Sequence, residues 1–117
     1  MKMKFIRPKK IPEANIQAEI YKRLRDRDVQ CCLEYKHRIS ESSFIRVDVA
    51  VIYKDELLLF IECKSRKEGS KPYREGRQYI NYLSSGVEFI YCMGWWDIAK
   101  TLDIAFEMLH KKRAQSL

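Results

Sequence analysis

Three charged residues interrupt or end two apolar runs of the sequence. Asp48 lies within residues 47–51, and Glu62 and Lys64 come at the end of a run that begins with residues 57–61. Both runs are rich in β-branched and aliphatic residues and predict buried strands. A charged group in such a strand is costly unless it is paired or binds a metal ion. These three residues are therefore the first candidates for chemistry.

The connection between the two strands decides whether the charged residues meet. Because side chains alternate along a strand, Glu62 and Lys64 share one face, and Cys63 points to the other. We expect a hairpin, and an odd-numbered loop near residues 54–56 would bring Asp48 opposite Glu62. Their Cβ atoms would then lie ~5 Å apart, within reach of one ion.

Two carboxylates at that distance repel each other when both are ionised, and a hard divalent cation relieves the repulsion. Lys64 beside them could orient or deprotonate a water that attacks a phosphodiester. The alternative is a polar strand end with a surface ion pair. A second triplet of the same kind, Glu34-Tyr35-Lys36, we interpret as an exposed strand face.

The rest of the pattern predicts a single α/β domain over residues 1–117, with a basic arm at 1–11 and a basic tail at 111–117. The predicted order is α-β-β-β-α-β plus a C-terminal helix, forming a mixed four-stranded sheet covered on both faces by helices. The strands are predicted at residues 29–38, 44–53, 57–64 and 87–93, and the helices from Pro12, over 73–83 and from Asp97.

The predicted second helix carries Gln78 and Tyr82, which lie four residues apart and share one face. An amide and a phenol there could hold a base or a phosphate, although Tyr82 could equally be core and Gln78 surface. The loop and the start of the helix are basic and could contact phosphates or be solvated. These candidate nucleic-acid contacts are Arg66, Lys67, Lys71, Arg74 and Arg77.

These motifs together resemble the PD-(D/E)XK nuclease superfamily over residues 12–93. The motifs in chain order are Arg46-Val47-Asp48, Glu62-Cys63-Lys64 and Gln78-x-x-x-Tyr82. The last is similar to a motif of RecB-like nucleases and of type I restriction nuclease domains. The first helix resembles that of VRR-NUC and archaeal Holliday-junction resolvase domains, which carry a glutamate there.

The resemblance implies a restriction-endonuclease-like core and magnesium- or manganese-dependent cleavage of DNA. It implies that Asp48, Glu62 and the backbone carbonyl of Cys63 hold the metal, that Lys64 is the catalytic lysine, and that Gln78 and Tyr82 assist. Either Glu13 or Glu19 would fill the helix-one glutamate position, and the spacing favours Glu13. Val47 replaces the proline that names the motif, and the Val-Arg-Arg signature is absent.

Composition agrees with a polyanionic partner without requiring one. The chain has 23 basic and 16 acidic residues and a net charge of +7, and a basic surface suits nucleic acid. Its four cysteines include no C-x-x-C pair, so we expect free thiols and a cytoplasmic location rather than a zinc site. No apolar stretch approaches the ~20 residues of a membrane span.

Two other functions stay open at this point: a non-catalytic nucleic-acid-binding module of the same fold, and a small assembly subunit. We also expect a homodimer, because the C-terminal part is apolar around more than one face. Cover by the basic N-terminal arm is the alternative. The residues that suggest this interface are Trp95, Trp96, Ile98, Leu102, Phe106 and Met108.

Overall fold

The computed structural model describes residues 10–116, which form a four-stranded mixed sheet with helices on both faces. The strands lie in the order β1-β2-β3-β4; the first three are antiparallel, and β4 runs parallel to β3. The predicted order of elements is confirmed. Its members are α1 (Glu13–Asp26), β1 (Gln30–Ser40), β2 (Ser43–Tyr53), β3 (Glu56–Cys63), α2 (Gly76–Ser84), β4 (Phe89–Cys92), a 3₁₀ turn (Trp95–Asp97) and α3 (Ile98–Gln115).

One face of the sheet is covered by α1 and α3, whose apolar positions recur at helical spacing. Ile16, Ile20 and Leu24 of α1 are fully buried, as the periodicity predicts. On α3, Leu102 and Ala105 are buried against the same strands. This α1–α3 core contains most of the apolar side chains of β2 and β3 and makes the sheet a rigid support.

The opposite face carries a smaller core beneath α2. Tyr82 is the buried residue of this helix, and it packs with Val47, Ala50 and Phe60. Its ring also stacks on Phe89 at 5.2 Å between centroids. This α2 core anchors the helix to β2 and β3 by one large aromatic side chain.

The hairpin between β2 and β3 reaches the predicted alignment by a different route. Its turn has two residues, Lys54 and Asp55, both with positive φ, rather than an odd number. On its own, that turn would set Asp48 opposite Ile61. A bulge at Leu58 adds the missing residue, because the pairing shifts between Val51 and Ile52, and Val49 then pairs with Ile61. Continued one step beyond this last pair, the register would set Asp48 opposite Glu62.

A second irregularity lies on β1 at Glu34, whose φ of 52° is uncommon for a residue other than glycine. Cys31 packs in the α1–α3 core, whereas Tyr35, four residues later, packs in the α2 core. In a regular strand, two residues an even number apart face the same side. The strand therefore changes face at Glu34, which is not the ordinary strand position that the sequence suggests.

The neighbouring strand changes face at the same level, next to Asp48. Val49 lies in the α1–α3 core and Val47 in the α2 core, although they are two residues apart. The two strands nevertheless stay paired, Leu33 with Val49 and Tyr35 with Val47. Glu34 and Asp48 are thus opposite each other at a shared kink.

The ends of the chain and some boundaries differ from expectation. Residues 1–9 of the predicted basic arm lie outside the described residues. The segment assigned to a basic tail continues α3 as far as Gln115. The second helix begins at Gly76, three residues later than predicted. Asp97 precedes α3 as expected, but its carboxylate accepts the Met93 N–H at 3.0 Å instead of capping the helix.

Two further findings concern the described part of the chain. None of its helices combines the length and the apolar character needed to cross a membrane. The cysteines Cys31, Cys32, Cys63 and Cys92 are all free thiols.

Candidate active site

Glu62 is the centre of the site and is the one buried charged residue among residues 10–116. The hydroxyl of Tyr82 donates to Oε2 of Glu62 at 2.6 Å, and Nε2 of Gln78 donates to Oε1 at 3.2 Å. Nζ of Lys64 lies 3.7 Å from Oε1. Both oxygens are therefore held in place from α2 and from the end of β3, as a positioned functional carboxylate requires.

The side chain of Asp48 accepts a hydrogen bond just beyond the last backbone pair between β2 and β3. The last regular pair is Val49 with Ile61, and beyond it the carboxylate Oδ2 of Asp48 accepts the backbone N–H of Cys63 at 2.7 Å. This hydrogen bond joins the Asp48 side chain, in the middle of β2, to the last residue of β3. Cys63 itself is buried in the α1–α3 core, on the opposite side from Glu62, as predicted.

The two carboxyls are electrostatically unfavourable neighbours. Burial raises the pKa of Glu62 from 4.5 to about 7; the Tyr82 hydrogen bond and Lys64 oppose this shift, and the charge of Asp48 adds to it. Burial also raises the pKa of Asp48 above its ordinary value, against the effect of the Cys63 N–H. At neutral pH, a cation between them would therefore relieve both desolvation and repulsion.

The chemistry of these donors fits a hard divalent cation. Magnesium is bound by one or two carboxylates and keeps several of its waters. Among residues 10–116, no group of three or more His, Cys, Asp or Glu side chains is arranged to hold a metal ion. Asp48, Glu62 and the Cys63 carbonyl could hold magnesium or manganese, whereas a closed tetrahedral zinc site would need more protein ligands.

Glu13 and Glu19, the two candidate helix-one glutamates, differ in their surroundings. The charge of Glu13 is close enough to contribute to the raised pKa of Asp48. Glu19 forms an ion pair with Arg23 at 2.9 Å, four residues along α1. The hydroxyl of the buried Ser65 donates to the carbonyl of Ile11 and so ties the start of α1 to the residue after Lys64. This geometry favours Glu13.

Glu34 is a residue near the site that the sequence interpretation missed. Its charge raises the pKa of Asp48, and its carboxylate accepts a hydrogen bond from Gln17 at 3.2 Å and lies 3.5 Å from Arg46. The signal was present in the sequence, because a short turn after Ser40 places Glu34 opposite Asp48 by counting. What the sequence did not show was the change of face.

The basic residues proposed as nucleic-acid contacts are only partly brought together. Arg66, Lys71 and Arg77 line a cavity of about 340 Å³ that also contains Lys64 and Gln78. Arg74 lines a neighbouring cavity beside β4, and Lys67 lines neither. A cationic surface therefore begins next to Glu62.

Trp96 fixes the backbone of Arg66, one of the residues that line this cavity. Its indole Nε1 donates to the carbonyl of Arg66 at 3.0 Å, and the Arg66 N–H donates to Met93 at 2.8 Å. Gly94 permits the close approach, since a Cβ there would lie 2.5 Å from Nε1 of Trp96. Trp96 thus positions the loop after β3, a role that the sequence did not reveal.

Comparison of the chain with protein-family models, with curated proteins and with solved structures finds no match.

Proposed function

We propose that this chain is a metal-dependent nuclease of the PD-(D/E)XK type, with a restriction-endonuclease-like core, that hydrolyses phosphodiester bonds of DNA. The supporting observation is the convergence of Asp48, in the middle of β2, with Glu62 and Lys64 at the end of β3. Structural ion pairs also perturb pKa values. Here, however, the buried Glu62 and the half-buried Asp48 lie close together, and Lys64, which pairs with Glu62, also lines a basic cavity.

Each side chain of the candidate site would have a role set by its position. Asp48 and Glu62 would hold magnesium or manganese, which supplies positive charge for the scissile phosphate. Lys64 lines the basic cavity and would orient the attacking water against the phosphorus. Gln78 and Tyr82 fix the two oxygens of Glu62, so little reorganisation is needed during reaction. Glu13 would assist from α1, since its charge adds to the raised pKa of Asp48.

The decisive experiment measures cleavage of plasmid, single-stranded and branched DNA by the purified protein, with magnesium and with a chelator. We expect cleavage that requires the metal and is lost in Asp48→Asn, which keeps the shape of the side chain. Glu19→Gln is the matched control, since Glu19 pairs with Arg23 away from the site. Metal-independent cleavage, or full activity in Asp48→Asn, would contradict the proposal.

The basic cavity also favours a second function, a nucleic-acid-binding module of the same fold without catalysis. Phosphate contacts supply most non-specific affinity, so such a module would bind DNA in a chelator as tightly as in magnesium and cut nothing. A role as an assembly subunit predicts neither DNA binding nor cleavage. The cleavage experiment and a binding titration separate the three.

A homodimer is part of the proposal, but much of the surface that suggested it is used inside the chain. Ile98 and Leu102 are buried against the sheet. Phe106 is partly buried under the guanidinium of Arg27, 4.4 Å from its centroid. Trp95 and Trp96 remain 43% and 37% exposed. Light scattering would show a mass near twice 14.0 kDa if the dimer forms.

A further inference from the structure

We infer that the cavity beside Lys64 holds one unpaired nucleotide, so that the site takes single-stranded or locally opened nucleic acid rather than continuous duplex. The inference rests on the proposed nuclease function and names its substrate class. The cavity measures about 340 Å³ and has both an aromatic and a cationic wall.

The aromatic wall is formed by Tyr73, Tyr79 and Tyr91. Tyr79 packs edge-on against Phe89 with 5.7 Å between centroids, and Tyr91 packs against the same ring at 6.1 Å. Tyr79 and Tyr91 are therefore held in place, whereas Tyr73 is 70% exposed in the loop before α2. Rings fixed in this way offer a face to a base without a large loss of entropy.

The cationic wall is formed by Arg66, Lys71 and Arg77, with Lys64 at the end nearest Glu62. The backbone of Arg66 is fixed by its bonds to Met93 and Trp96, so its position does not depend on a bound partner. Proteins that bind single strands combine such cations, which follow the phosphates, with aromatic rings on which bases stack. Both parts are present within one cavity.

The size and concave form of the cavity select an unpaired nucleotide. Its volume falls at the lower end of the roughly 300–1,000 Å³ of small-molecule sites, so it suits a unit of nucleotide size. A base inside a duplex cannot contact a concave aromatic wall unless it leaves the stack, and the lost stacking and pairing oppose binding. A single strand or a frayed end meets the wall without that cost.

The test measures binding in a chelator, by fluorescence anisotropy, of a labelled short single strand and of the matching blunt duplex at one salt concentration. Wild type should bind the single strand more tightly. Tyr73→Ala should weaken single-strand binding about five- to tenfold, from the low end of stacking energies, and leave duplex binding unchanged. Tyr73→Phe should bind like wild type.

The matched control is Phe44→Ala, which removes an exposed ring, 55% accessible on β2, that does not line the cavity. It should leave both affinities unchanged. The inference is overturned if wild type binds duplex as well as single strand, if it binds neither, or if Tyr73→Ala weakens both equally or neither. Because Tyr73 is exposed, its replacement tests the cavity without unfolding the protein.

The outcome is separable from that of the nuclease proposal. Selective loss in Tyr73→Ala without magnesium-dependent cleavage would support the cavity and contradict the nuclease. Magnesium-dependent cleavage lost in Asp48→Asn, with no selective effect of Tyr73→Ala, would support the nuclease and overturn the cavity.

Discussion

The chain contains the same triplet twice, Glu34-Tyr35-Lys36 on β1 and Glu62-Cys63-Lys64 on β3, and the two differ in almost every physical respect. The side chain of Glu62 is 10% exposed and that of Glu34 is 51% exposed. Each accepts a hydrogen bond of 3.2 Å from a glutamine, yet only Glu62 also has Tyr82 and the lysine of its own triplet.

The contrast shows that surroundings, rather than spacing, give a Glu-x-Lys triplet its chemical character. Glu62 is desolvated beside a second acid, and its pKa rises to about 7. Glu34 is solvated and paired with Arg46 at 3.5 Å. At position 62, glutamate is in an unfavourable electrostatic environment that a cation can relieve. At position 34, the same residue type forms only a weak surface ion pair.

The largest expected effect is on cleavage, and it compares the two lysines. Lys64→Ala should lower the rate of DNA cleavage ~10²–10⁴-fold, the usual contribution of a positioned acid–base group. Lys36→Ala removes the same charge from an exposed position and should change the rate little. Rates under saturating magnesium and DNA measure both. Equal losses in the two variants would mean that Lys64 contributes only charge.

The second effect concerns metal binding and compares the two glutamates. Magnesium at about a hundred times its dissociation constant should stabilise wild type by about 2.7 kcal/mol, raising the melting temperature by several degrees. Glu62→Gln should lose most of that rise, and Glu34→Gln should keep it. Differential scanning calorimetry with and without magnesium is the measurement. A rise that survives in Glu62→Gln would exclude Glu62 as a ligand.

The third effect is the pH dependence of stability in a chelator. The pKa of Glu62 is higher in the folded state than the ordinary 4.5, so the folded protein binds the proton more tightly than the unfolded chain. The stability from this group is therefore full below about pH 4.5 and is lost as the pH rises to about 7.

Chemical denaturation across this pH range should consequently show wild type losing stability toward pH 7. Glu62→Gln should have a flatter profile, and Glu34→Gln should retain the slope of wild type. If the slope persists in Glu62→Gln, groups other than Glu62 cause the loss of stability toward pH 7.

The sequence predicted the elements and the hairpin of β2 and β3 because these follow from apolar periodicity and turn residues. The buried residues of α1 and the faces of Glu62 and Cys63 could be obtained by counting. The bulge at Leu58 and the left-handed backbone of Glu34 could not be obtained by counting. Each depends on how the paired strands pack their side chains into the two cores. The alignment of Asp48 with Glu62 was expected from an odd loop and arises from the bulge.

Contacts made by backbone atoms were also hidden from the sequence. Trp96 donates to the Arg66 carbonyl and Ser65 to the Ile11 carbonyl, and both contacts join segments far apart in the chain. The carbonyl of any residue offers the same acceptor, so no pattern of residue types marks such a partner. Candidate metal ligands could therefore be proposed from the sequence, whereas the contacts that hold the loop after β3 and the start of α1 required coordinates.

The smallest expected effect compares the two glutamines. Nε2 of Gln78 and Nε2 of Gln17 each donate to a glutamate oxygen at 3.2 Å, so the geometry of the two bonds is alike. Both glutamines lie on helices, and replacement by alanine changes helix propensity equally. The difference between the variants therefore reports the environment of the carboxylate that is left behind.

Gln78→Ala removes a partner from the buried Glu62 and should lower the free energy of unfolding by about 1 kcal/mol. Gln17→Ala leaves the exposed Glu34, which water can solvate, and should change it by less than about 0.5 kcal/mol. Urea denaturation at pH 8 in a chelator measures both, because Glu62 is then ionised and its need for a donor is greatest. Equal costs would show that water reaches Glu62 as readily as Glu34, and the physical distinction between the two triplets would fail.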